Sequence, residues 1–104
     1  GKSVTVLEDR VSIGHNAIVH GAQICEGALI GMSAVVMDKV VVGAGAVVAA
    51  GSVVLEGTQI PPGSLFAGVP AKQKGDVRSD LANYLSDTAD RYLEYAGWYR
   101  GNEV

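Results

Sequence analysis

The chain has 104 residues, 48% of them apolar but only 6% aromatic, with 14 glycines and a formal net charge of −3. That length limits it to one domain, and the apolar content excludes disorder. The absence of a basic cluster argues against a nucleic-acid surface, and no apolar run reaches the roughly 18 residues of a membrane span. With few aromatics and many glycines, the core must be built from small aliphatics. The single Cys25 has no partner for an internal disulfide, and no signal-peptide pattern is present. A reducing cytoplasm is therefore the default expectation.

In chain order, the first signal is a repeat. Large aliphatics fall at Leu7, Ile13 and Val19, then, after a step of five, at Ile24. Every sixth residue follows: Ile30, Val36, Val42, Val48, Val54, Ile60 and Phe66. A small residue or valine sits four after most of them, as at Ala28, Ala34, Val40, Ala46 and Ser52. Neither a strand period of 2 nor a helical period of 3.6 yields this spacing. A short strand plus a turn makes one flat face, with the aliphatic pointing inward. Glycine is expected at the turns, where the backbone needs angles that a Cβ disfavours. Three faces close a coil of about 18 residues, and coils stack by backbone pairing. Ile24, Val42 and Ile60 should form one inner column, with Ile13, Ile30, Val48 and Phe66 a second. Val19, Val36 and Val54 should form the third. The five-residue step from Val19 to Ile24 makes one coil a residue short.

The fold expected is thus an all-β solenoid, a parallel β-helix of hexapeptide repeats over residues 1–71. Residues 72–78 read as a linker. From Ser79 the spacing changes to three- and four-residue steps through Leu81, Leu85, Thr88, Tyr92, Tyr95 and Tyr99. That pattern predicts a C-terminal α-helix over 79–100, packed on the β-helix, with Ser79 as N-cap.

His15 and His20 are the only histidines. His15 lies two after Ile13 and His20 one after Val19, so neither should point into the core. A corner separates them, so two rings of one chain would diverge, and convergence on one ion is easier with one from each of two subunits. By themselves, two histidines five apart are a weak signal and read first as polar residues on a solvated face. Met32 follows His15, and Met37 follows His20, by the length of the one short coil, so each methionine should stack above a histidine. Cys25, beside no base or cation, reads as a structural thiol.

The segment Ile13-Gly14-His15-Asn16-Ala17-Ile18-Val19-His20-Gly21 resembles the motif of the γ-class carbonic anhydrases. Ile30-Gly31-Met32-Ser33-Ala34-Val35-Val36, followed by Asp38, extends the resemblance, which covers the chain from about residue 7 onward. It implies that the coil is left-handed and that the protein is a homotrimer. It also implies that His15 and His20 are metal ligands, for zinc or iron, at a seam between subunits. Metal-bound hydroxide would then hydrate carbon dioxide reversibly to bicarbonate. The family's remaining metal-binding histidine comes from an earlier coil, and no histidine precedes His15 here. The chain accordingly resembles the family without its N-terminal coils, and its metal site is expected to be incomplete.

Two other functions compete. One is a hexapeptide acyltransferase using acetyl-CoA with a histidine as base. The other is a non-catalytic β-helical assembly module. Ile60-Pro61-Pro62-Gly63-Ser64 through Lys72 resembles the closing motif of hexapeptide proteins generally and does not separate these readings. Flat outer faces bearing Val35, Val47 and Val53 favour a trimer about an axis parallel to the stack. Leu7, Ile13 and Val19 lie near an open end, so further association through the N-terminal end is also expected.

Overall fold

A computed structural model describes residues 4–77. The expected helix over 79–100 lies outside the described residues. In chain order the strands are β1 (Val6–Leu7), β2 (Ser12–Ile13), β3 (Ile18–Val19), β4 (Gln23–Ile24), β5 (Leu29–Ile30) and β6 (Val35–Val36). They continue as β7 (Val41–Val42), β8 (Val47–Val48), β9 (Val53–Val54), β10 (Gln59–Ile60), β11 (Ser64–Gly68) and β12 (Ala71–Asp76).

Every third strand pairs in parallel, giving sheets β1-β4-β7-β10, β3-β6-β9 and β2-β5-β8-β11, the last extended by β12. The architecture is a parallel β-solenoid, and the three columns inferred from the spacing are its three inner walls. Val6 pairs with Gln23, and Gln23 in turn with Val41, so the first step is one residue shorter than the second. The short coil is real. Ile24, Ile30, Val42, Val48 and Val54 are fully buried. Ala28, Ala34 and Ala46 fill the tighter space beside them. Two polar residues share that small-residue position without penalty. Ser64 Oγ donates to the Pro61 carbonyl at 2.6 Å, and Ser52 Oγ accepts from the Gly68 amide at 3.2 Å. Each buried hydroxyl thus has a hydrogen-bond partner.

Three features differ from expectation. First, the corners are not reserved for glycine: Arg10, Asn16, Ser33 and Lys39 all take φ between 60° and 65°. A left-handed non-glycine residue costs about 1–2 kcal/mol. At Ser33 and Lys39 inter-coil bonds offset it: the Ser33 amide donates to the His15 carbonyl at 2.8 Å and the Lys39 amide to the Gly21 carbonyl at 2.8 Å. Second, the stretch expected as linker from residue 72 is strand through Asp76. It returns antiparallel along β11, where Phe66 faces Gln73 and Gly68 faces Ala71. An otherwise bare strand edge at the last coil gains backbone partners in this way. Third, Val47 is not free for a subunit seam, because Leu65, Val77 and Leu29 cover it from outside.

Exposure of the inner column rises toward the first described coil. Leu7 is 52% exposed, whereas its column mates Ile24 and Val42 are at 0%. Amides of residues 6–20 should therefore exchange with deuterium well ahead of those of residues 41–60. Hydrogen-exchange mass spectrometry checks this, and uniform protection along the solenoid would contradict it.

Candidate metal centre at the histidine-bearing face

The outer surface of the β3-β6-β9 sheet carries both histidines, one at each end of its first strand. After Ile13, Gly14 brings the chain against the next coil, and Asn16 turns it with φ 60°. His15 stands exposed on that corner. The chain then runs through β3, where Ile18 points outward at 57% exposure and Val19 points inward. His20 follows at the next corner, its amide donating to the Val36 carbonyl at 3.2 Å. Continued register sets Met32 above His15 and Met37 above His20, as the spacing implied. The face is thus a rung of His15, Ile18 and His20. Above it lies an apolar rung of Met32, Val35 and Met37, and above that Val53 and the exposed Leu55.

His20 is not a bare solvated ring. Its Nδ1 lies 2.6 Å from Asp38 Oδ1. An ionised carboxylate has no proton to give, so the shared hydrogen belongs to Nδ1. The lone pair of a neutral imidazole is then on Nε2, directed away from Asp38. Asp38 carried no assigned role in the sequence reading. The signal was available: Asp38 follows His20 by the length of a regular coil, across the one corner where a regular coil does not apply.

The donor chemistry of His20 suits a transition metal, since a ligating imidazole commonly has its other nitrogen held by a carboxylate. The number of ligands does not suffice within one chain. Among the described residues, no group of three or more His, Cys, Asp or Glu side chains could hold a metal ion. A catalytic zinc uses three protein ligands. His15 and His20 flank the strand on separate corners and are not gathered into such a group.

The remaining reactive side chain lies elsewhere. Cys25 is half-buried beside the corner where Glu8 accepts from the Gln23 amide nitrogen Nε2 at 2.9 Å and the Glu26 backbone amide at 3.1 Å. Desolvation first, and the negative charge of Glu8 second, push its thiol above the ordinary value. Such a thiol is a poor nucleophile at neutral pH. No helix among the described residues is long and apolar enough to cross a membrane.

The coil geometry defines the class. Residues 21–56 match the family described as bacterial transferase hexapeptide (six repeats). The chain is 51% identical over 90 residues to a probable carbonic anhydrase of Methanocaldococcus jannaschii, covering 86% of this chain and 57% of that one. It is 39% identical over 92 residues to the mitochondrial gamma carbonic anhydrase 2 of Arabidopsis thaliana, covering 88% and 33%. The chain is thus a hexapeptide-repeat protein similar to the γ-class carbonic anhydrases. It spans little more than half the length of the first of these relatives and a third of the second.

Solved hexapeptide transferases share this fold. A hexapeptide transferase family protein from Anaplasma phagocytophilum superposes with a TM-score of 0.66 at 32% identity, covering 88% of this chain and 60% of that one. Serine acetyltransferase in complex with coenzyme A, from Brucella abortus, gives 0.64 at 36% identity, covering 69% and 32%.

Proposed function

We propose that this chain contributes to a metal centre of the γ-carbonic anhydrase kind, shared between neighbouring protomers of a homotrimer and serving the reversible hydration of carbon dioxide. The observation that carries this reading is the placement of His15 and His20 at opposite edges of one aliphatic face. Two such faces brought edge to edge would set His15 of one protomer beside His20 of the next. Ile18, Val35 and Val53 supply the apolar contact, while Met32 and Met37 cover the histidine rung from above and keep it dry. When bound, zinc or iron supplies Lewis acidity that makes water a nucleophile toward carbon dioxide near neutral pH. This chain's part is to present the imidazoles, fix the orientation of His20 and exclude bulk water. Two imidazoles leave the ligand set incomplete, so hydration activity in this chain alone is expected to be low. We place the protein in the cytoplasm on the strength of its unpaired cysteine.

The His20–Asp38 pair also favours a second reading. A histidine oriented by a carboxylate is a general base, and the structural relatives include an acetyltransferase with bound coenzyme A. A third possibility, a β-helical module with no chemistry, needs neither pair nor metal. One set of measurements separates them: sedimentation, metal content by mass spectrometry, carbon dioxide hydration by stopped flow, and acetyl-CoA binding by calorimetry. The proposal requires a trimer that retains or takes up zinc or iron. A stable monomer, or a metal-refractory protein that binds acetyl-CoA, would overturn it.

A further inference from the structure

We infer that Asp38 is the positioning residue of the histidine face, holding His20 in the tautomer and direction that present Nε2 outward toward the seam. The inference rests on the metal-centre reading for its purpose, but its structural basis is independent of any metal.

It follows from the short coil. Val19 pairs with Val36, which sets His20 beneath Met37. On the far side of the corner, the Lys39 amide bonds to the Gly21 carbonyl, and both residues turn with positive φ. Gln23 pairs with Val41. The lower corner passes from His20 directly to Gly21, while the upper one inserts Asp38 between Met37 and Lys39. Asp38 is therefore the one residue of its corner with no counterpart below, and its side chain reaches down to His20. Its own carbonyl accepts from the Gly57 amide at 3.0 Å, a backbone bond that holds the corner whatever the side chain. The His20 side chain is 73% exposed and that of Asp38 34%, so no core packing depends on the pair. What the contact does is select. A neutral histidine in water favours the proton on Nε2, whereas the carboxylate draws it to Nδ1. The deletion in the coil thus makes the pair possible, and the pair aims the ring.

Two-bond 1H–15N correlation spectra of 15N-histidine-labelled, metal-free protein, recorded at about pH 8, read charge state and tautomer directly. His20 should carry its proton on Nδ1 in the wild type, while His15 serves as internal control. Asp38→Ala should move His20 toward the Nε2-protonated form, and Asp38→Asn, whose oxygen still accepts, should restore the wild-type pattern. Zinc affinity of Asp38→Ala should fall by roughly 10- to 100-fold, with the Asn variant in between. Thermal unfolding at an unchanged temperature keeps the comparison to the side chain. Nε2 protonation of His20 in the wild type, or an unchanged tautomer in Asp38→Ala, would overturn the inference. A tautomer that responds in a protein taking up no zinc would sustain the positioning role and remove the metal-centre reading instead.

Discussion

Replacing either His15 or His20 by alanine should abolish zinc or iron binding while leaving the fold unchanged. Each ring stands on an exposed corner, outside every inner column, so its loss removes no core contact. The backbone bonds at these positions, His15 carbonyl to Ser33 amide and His20 amide to Val36 carbonyl, survive truncation of the side chain. With only two imidazoles per seam, each substitution leaves one ligand. The loss should exceed the roughly 10- to 100-fold expected when only a group behind a ligand is removed. Equilibrium dialysis against zinc checks this, with circular dichroism to show that the solenoid persists. Stoichiometric metal in either variant would remove that residue from the ligand set.

The second large effect concerns stability, and it separates two kinds of glycine that look alike in the sequence. A Cβ added at Gly43 would lie 2.4 Å from the Pro62 nitrogen and 2.7 Å from its Cα. Both are backbone atoms of the coil above, which cannot rotate away. At Gly57, φ is +80° and an added Cβ meets nothing within 4 Å. Gly43→Ala should therefore cost about 3 kcal/mol or more through overpacking. Gly57→Ala should cost about 1 kcal/mol, from left-handed strain alone. Urea unfolding of the two variants side by side checks the contrast. Equal midpoints would show that the coils separate freely at the Gly43 corner. Gly14, whose added Cβ would lie 2.5 Å from the Met32 nitrogen, should behave like Gly43.

That contrast also explains how much of the structure could be seen in the chain beforehand. The six-residue step of Ile24 through Phe66 showed columns and coil length, because inward packing repeats the same demand at each strand, and the five-residue step from Val19 to Ile24 showed the short coil. Stacking of Met32 and Met37 over the histidines followed from the same arithmetic. Corner conformations were less legible: Arg10, Asn16, Ser33 and Lys39 all take left-handed angles, and the bonds between coils that compensate at Ser33 and Lys39 leave no mark on the repeat. Strand β12 was hidden for a related reason. Lys72, Gln73, Lys74 and Asp76 are exposed and polar, so β12 carries no inward aliphatic of the repeat and is held by its pairing with β11. Val47 could not be told from Val35 and Val53 by spacing, since Leu65 and Val77, which cover it, come from β11 and from beyond the end of β12. His15 and His20 were legible as a pair through family resemblance, whereas Asp38 needed the corner geometry of a coil one residue short.

The most direct test of a shared centre uses the two metal-deficient variants together. His15→Ala and His20→Ala chains, co-expressed with different affinity tags, can be purified as mixed trimers by sequential capture. In any cyclic mixed trimer, one seam alone joins an intact His15 from one protomer to an intact His20 from its neighbour. The mixed trimers should therefore recover metal at one seam each, while trimers of either variant alone recover none. Mixed trimers that stay metal-free, when the wild type binds metal stoichiometrically, would place both imidazoles on the same protomer's site and contradict a centre built across the seam.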